Sequence, residues 1–128
     1  GFKEFLKEQT EKTFAGLSHD ELEKCIIAYE PVWAISSNPG ARPDTPKNAA
    51  ESIEIIKEVL FRNCPDFVED PRYNREKLEI RNSPKVLYGG SVTSKNVAEF
   101  VGQKKIDGVL IGGASVDKEE FVNILKLV

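Results

Sequence analysis

Little in this sequence points to metal, nucleic acid or membrane. It holds one histidine, His19, and two cysteines, Cys25 and Cys64. The cysteines have neither CxxC spacing nor the density of a disulfide scaffold, and read as a buried strand residue and a loop residue. Asp66, Glu69 and Asp70 form an acidic stretch in which no histidine or cysteine completes a ligand set, so they read as a solvated loop and not as metal ligands. Net charge is −3 with no basic stripe, which argues against nucleic acid as a partner. No apolar run approaches the roughly 18 residues of a membrane helix, and no signal-peptide pattern is present. Together these absences predict a reducing, cytoplasmic setting without membrane attachment. The chain also opens on Gly1 instead of methionine and enters a helical pattern at once, as a piece cut from a longer protein would.

What is present is the material of one ordinary domain. The 128 residues are 40% hydrophobic and 30% charged, a soluble globular balance with length enough for a core. Phe2, Phe5, Leu6, Phe14 and Leu17 lie on a partly apolar stripe that predicts a helix from residue 2 to about 15, stopped at Gly16. Ser18 with Glu21 three residues on resembles a capping box, and His19 inside it reads as a surface residue. An apolar run through Cys25, Ile26, Ile27 and Ala28 predicts a strand over 24–29 that presents Glu30 at its end. Pro31 then stops the ladder, because it has no N–H to donate.

After a Ser/Asn/Pro/Gly-rich loop, Thr45-Pro46 is a helix start, with a capping hydroxyl and proline at the first helical position. Ala49, Ile53, Ile56 and Leu60 fall on one buried face, with Glu51, Glu54, Lys57 and Glu58 away from it. Residues 62–83 read as a long connection with a helical turn near 73–78. Lys85 to Tyr88 is a second strand, followed by Gly89-Gly90-Ser91 and a helix capped by Ser94 that carries Val97, Phe100 and Val101 and stops at Gly102. Ile106 to Ile111 is a third strand, followed by Gly112-Gly113-Ala114-Ser115. Asp117 and Glu120 form a second capping box, and the last helix sets Phe121, Ile124, Leu125 and Val128 on one stripe.

The fold class is therefore α/β: one helix, then three strand-loop-helix units. Strands that alternate with helices run parallel and are expected to be buried on both faces. Topology alone leaves a doubly wound sheet and a (β/α)8 barrel both open, and either puts its ligands beyond the strand ends. Three features lie there. Glu30 is a carboxylate at a strand tip, although a Glu-Pro in that place is more often a solvated turn residue, and Trp33 near it is more often packing than a ligand contact. The two glycine pairs each leave a strand and enter a helix, where bare N–H groups can face an anion, phosphate above all. Arg42 and Lys47 either counter such a phosphate or are plain loop charges.

Three motifs in order, Ala28-Tyr29-Glu30-Pro31-Val32-Trp33-Ala34-Ile35, Tyr88-Gly89-Gly90-Ser91-Val92 and Ile111-Gly112-Gly113-Ala114-Ser115, closely resemble the triosephosphate isomerase family. The resemblance runs over nearly the whole chain but only over the C-terminal half of the family's single barrel domain, from the fifth helix through strands six to eight. It implies an isomerase of glycolysis and gluconeogenesis that interconverts dihydroxyacetone phosphate and glyceraldehyde 3-phosphate through an ene-diolate, without metal or cofactor. Glu30 would be the general base. The N–H groups of Ser36, Ser91, Gly112 and Gly113 would hold the substrate phosphate. Residues 31–45 would be a lid, with Trp33 in its first hinge and Tyr88 and Ser91 holding it closed.

The resemblance also implies a homodimeric parent protein. The family's lysine on strand one and histidine on strand four have no counterpart in these residues. The piece alone is thus expected to be nearly inactive, and either to self-associate or to need the missing N-terminal half. The alternative is a non-catalytic, phosphate-binding half-barrel that serves folding or interaction. Where the family has Gly-Thr-Gly after this isoleucine, the chain has Ser36-Ser37-Asn38-Pro39-Gly40, so the lid is a few residues longer and Ser36 stands where glycine's freedom is usual. The second hinge, Pro43-Asp44-Thr45, is atypical as well.

Overall fold

A computed structural model describes residues 1–63 and 84–128. In chain order the elements are α1 (Phe2–Phe14), α2 (His19–Glu23), β1 (Ile26–Tyr29), a 3-10 turn (Val32–Ala34) and α3 (Pro46–Asn63). Then come β2 (Lys85–Tyr88), α4 (Val97–Val101), β3 (Gly108–Val109), a second 3-10 turn (Gly113–Val116) and α5 (Lys118–Leu125). The strands form one parallel sheet in the order β1-β2-β3, with Ile26 opposite Lys85, Tyr29 opposite Tyr88 and Tyr88 opposite Val109. This is the alternating α/β fold that the sequence predicts. The helical turn expected near 73–78, the acidic Asp66, Glu69 and Asp70, and Cys64 lie outside the described residues.

Local chemistry starts and stops these elements. Gly16 takes φ +82°, a left-handed backbone open to glycine at no steric cost, and the chain turns there after α1. The capping box at Ser18 is complete: its hydroxyl accepts from the Glu21 N–H, and the Glu21 carboxylate accepts from the Ser18 N–H at 2.8 Å. The Ser18 N–H first, and then the Ser18 hydroxyl, which donates to the same carboxylate at 3.0 Å, hold the Glu21 carboxyl below its ordinary range. Thr45 Oγ1 accepts the Asn48 N–H at 3.1 Å and opens α3.

The core lies between the sheet and the helices. Ala49, Ile53, Ile56 and Leu60 of α3 are all buried, as their spacing predicts. They share one cluster with Leu6, Val86, Tyr88, Phe100 and Ile124. Tyr88 and Phe100 stack with centroids 4.3 Å apart. Each large apolar side chain taken out of water here contributes about 1.5–3 kcal/mol.

Several expectations are corrected. Cys25 lies just outside β1 and is half-buried, its thiol turned back to the Glu21 carbonyl. His19 is not a free surface residue: its side chain is only 14% exposed and its Nε2 lies 2.7 Å from Glu23. Lys57 does not point to solvent; its ammonium sits 2.6 Å from the Asp107 carboxylate and donates to the Lys105 carbonyl. A lysine stem can cover apolar surface while its head reaches a charge beyond it. Asp107 also accepts the Val86 N–H, so this cluster pins the leading ends of β2 and β3.

The third strand is shorter than 106–111, because it has a pairing neighbour on one side only. The Asp107 and Leu110 N–H groups still donate to the Val86 and Tyr88 carbonyls and hold the flanks against β2. Ser94 does not cap α4; Asn96 stands at that position, and Ser94 N–H and hydroxyl both go to the Glu120 carboxylate. That contact takes away half of the second capping box: Asp117 still accepts the Glu120 N–H at 3.0 Å, but Glu120 points elsewhere. Of the last apolar stripe only Ile124 is buried, while Leu125 and Val128 are exposed. On α1, Leu6 is buried, but Phe2 and Phe5 face outward.

Nor are the strands buried on both faces. Ile26 is 73% exposed, Ala28 is exposed, and Leu110, just past β3, is exposed on the same side. Three strands do not close on themselves, so this face lacks the cover that a closed barrel gives its interior.

Candidate active site

The trailing ends of the three strands gather the residues that the motifs single out. Glu30 follows β1 directly and continues its alternation, so it belongs to the open face with Ile26 and Ala28 and is itself exposed. The ladder runs one step past the strands, with the Gly89 N–H donating to the Tyr29 carbonyl at 2.9 Å. This brings Gly89 under the Glu30 side chain. A Cβ on Gly89 would stand 2.6 Å from Glu30 Cγ and 3.0 Å from Oε1, so only glycine leaves the carboxylate this place across the end of β2.

The loop after β1 reaches the next two strand ends. The Ala34 carbonyl accepts the Ser91 N–H at 2.8 Å, tying the 3-10 turn to the loop that follows β2. Farther on, Ser36 Oγ comes within 3.9 Å of where a Gly113 Cβ would be, which puts Ser36 beside the turn that follows β3. Gly112 and Gly113 are both exposed, and a Cβ on Gly112 would meet open space. The Gly112 carbonyl takes both the N–H and the hydroxyl of Ser115, which closes that turn. Glu30 over Gly89, Ala34 on Ser91 and Ser36 beside Gly113 therefore gather at one end of the sheet.

Ser36 stands where the sequence suggests a need for glycine, yet no described residue other than glycine has positive φ. The glycine conformation falls on Gly40 instead, at φ +72°, within the longer loop. The loop braces itself through Asn38, whose side-chain amide donates to the Val32 carbonyl, and through the Arg42 N–H, which donates to the Trp33 carbonyl at 2.7 Å. The side chains of Arg42 and Lys47 are exposed.

Trp33 is half-buried and meets Phe2 of α1 edge to face. Tyr88 lies on the other side of the sheet from Glu30: it is fully buried, with its phenol against Gly90, where any Cβ would overlap it. Burial, then the charge of Asp44 and then Tyr29, push the Tyr88 hydroxyl well above the ordinary tyrosine range. It stays a neutral donor throughout the physiological range.

A sequence model of the family described as triosephosphate isomerase matches the chain over residues 1–128. The chain belongs to the triosephosphate isomerase family. That is a family of isomerases built on the (β/α) barrel, and three parallel strands each leading to a helix are part of such a barrel. No helix among the described residues is long and apolar enough to cross a membrane. Among the same residues no three His, Cys, Asp or Glu side chains come together as a metal set would.

Two residues that shape the site were not singled out for it by sequence. Asn96 holds the loop after β2 from within, its Oδ1 accepting the Thr93 N–H at 2.9 Å and its Nδ2 donating to the Ser91 carbonyl. Glu120, from α5, fixes the same loop through Ser94. The one signal for Asn96 is an asparagine just before a helix. For Glu120, 26 residues from its partner, a sequence pattern carries no signal at all.

Proposed function

We propose that this chain supplies the base and the phosphate grip of a triosephosphate isomerase, acting on dihydroxyacetone phosphate and glyceraldehyde 3-phosphate. Glu30 takes a proton from the carbon beside the substrate carbonyl and returns it to the neighbouring carbon of the ene-diolate. The N–H groups of Ser36, Ser91, Gly112 and Gly113 hold the phosphate, and residues 31–45 form the lid. The observation that carries this reading is the placement of Glu30 across Gly89 at the same sheet end where Ser36 meets Gly113. A phosphate that takes the Ser91 N–H must displace the Ala34 carbonyl, so ligand binding and lid movement are one event. With water excluded, the carboxylate is a stronger base and the intermediate is protected from protonation by solvent.

Turnover needs the remaining strands of a closed barrel, which carry the groups that polarise the carbonyl. The decisive measurement pairs calorimetry with a coupled isomerase assay on the 128-residue chain. The reading expects binding of a phosphate ester that Gly112→Val weakens at least tenfold, with turnover near zero. Near-enzymatic turnover by this chain alone would overturn the division of labour, and binding indifferent to Gly112→Val would overturn the phosphate site. The exposed apolar face of the sheet supports a second reading, a phosphate-binding partial barrel that acts in folding or interaction. It shares the binding result, but predicts no turnover even in the complete protein.

A further inference from the structure

Trp33 is the chain's single tryptophan, and its ring is held from outside the loop that carries it. It meets Phe2, in the first turn of α1, with ring centroids 4.8 Å apart and planes at 76°. Such edge-to-face pairs are attractive beyond the area they bury. The backbone around Trp33 is tied differently. The carbonyls of Val32 and Trp33 bond to Asn38 and Arg42, both within residues 31–45, so the 3-10 turn travels with that segment. Among the contacts beyond the segment, two hold the 3-10 turn itself. One is the Ala34 carbonyl on the Ser91 N–H, and the other is the Trp33 ring on Phe2.

Space is available on both sides of the ring pair. Phe2 and Trp33 line a cavity of about 480 Å³ along α1 and β1, and another of about 560 Å³ beside Arg42, Asp44 and Asn48. Phe2 is 40% exposed, so core packing does not account for its place.

We propose that Phe2 is a positioning residue for the lid: its ring seats the Trp33 indole and favours the arrangement in which Ala34 occupies the Ser91 N–H. This rests on the reading of residues 31–45 as a lid and of Ser91 as a phosphate donor. An aromatic pair of this kind biases a two-state equilibrium roughly two- to tenfold. A ligand that needs the other state binds more weakly by the same factor, and loss of Phe2 restores it.

The test uses the 128-residue chain as wild type, Phe2→Ala, Phe2→Leu and Phe5→Ala, with circular dichroism to verify that each is folded. Phe5 is the control, an exposed phenylalanine on the same helix. Without ligand, Phe2→Ala shifts Trp33 emission to the red and lowers its anisotropy, Phe2→Leu does so less, and Phe5→Ala leaves both unchanged. Titration with glycerol 3-phosphate then gives a two- to tenfold tighter apparent affinity for Phe2→Ala, with Phe2→Leu between it and wild type. Wild-type emission from Phe2→Ala overturns the seat. Shifted emission with unchanged or weaker affinity overturns the positioning role and leaves packing alone. If the wild type shows no calorimetric response to glycerol 3-phosphate, the phosphate reading fails and takes the positioning role with it. The ligand-free emission still decides whether Phe2 seats Trp33.

Discussion

On one face of the sheet Tyr29, Val86 and Tyr88 sit in the core cluster with Ile53 and Phe100, the latter four almost wholly out of water. On the other, Ile26 is 73% exposed, and Ala28 and Leu110 are exposed as well. The residues are equally apolar, and along β1 they alternate one by one. What separates the faces is a partner: α3 packs against β2 and α4 against β3, and the residues of the covered side are the buried ones. The covered face holds the fold together, and the open face, extended past the strands, carries Glu30 and the glycine turns. An apolar strand pattern records that a face was meant to be covered; it does not say by what.

The comparison is broken hardest by emptying the covered face. Phe100→Ala removes a ring that is 1% exposed and stacked on Tyr88, and is expected to cost about 3–5 kcal/mol, read as a lower urea midpoint. The adjacent glycines give a finer contrast between the faces. In Gly90→Ala the new methyl meets the immobile Tyr88 phenol, with an expected loss of about 1–3 kcal/mol. In Gly89→Ala it meets the exposed, flexible Glu30 side chain, so stability stays within about 0.5 kcal/mol of wild type while the carboxylate is displaced. Equal losses in equilibrium unfolding would erase the distinction.

The covered face also has a pH signature. Burial raises both the Tyr29 and the Tyr88 phenols above the ordinary value of 10.0, with Asp44's charge adding to each. The folded chain thus keeps protons that the unfolded chain gives up above pH 10. The stabilisation is complete below the unfolded value and is lost as pH climbs from there toward the folded values. Thermal unfolding from neutral pH upward should show this decline, and a Tyr29→Phe, Tyr88→Phe double variant should flatten it. Smallest in stability is Ile26→Thr on the open face, within about 0.5 kcal/mol of wild type. Its effect should appear in light scattering instead, as less self-association through the uncovered strands.

Legibility followed the range of the forces involved. Period and capping are local, so α1, α3, β2 and the Ser18 box fall where the sequence places them. Ends shared with distant residues do not. Ser94 and Glu120 each have a good local partner and choose one another, and Lys57 leaves the solvent side of α3 for Asp107. At the site, Glu30 and the glycine pairs are plain in the sequence because their chemistry is carried by residue type. The Phe2 contact to Trp33, the Asn96 brace and the hold of Ala34 on Ser91 are invisible there.

The sequence by itself determined that strands and helices alternate, that the strands are parallel, that a carboxylate and two bare turns leave the strands at the same end, and to which family the chain belongs. Each of these follows from residue type and spacing, which neighbours along the chain are enough to express. Only the tertiary structure decided that Gly89 makes room for Glu30, and that one sheet face is core while the other lies open. Those outcomes depend on which surfaces meet across tens of residues, where van der Waals exclusion between a methyl group and its neighbour sets the answer.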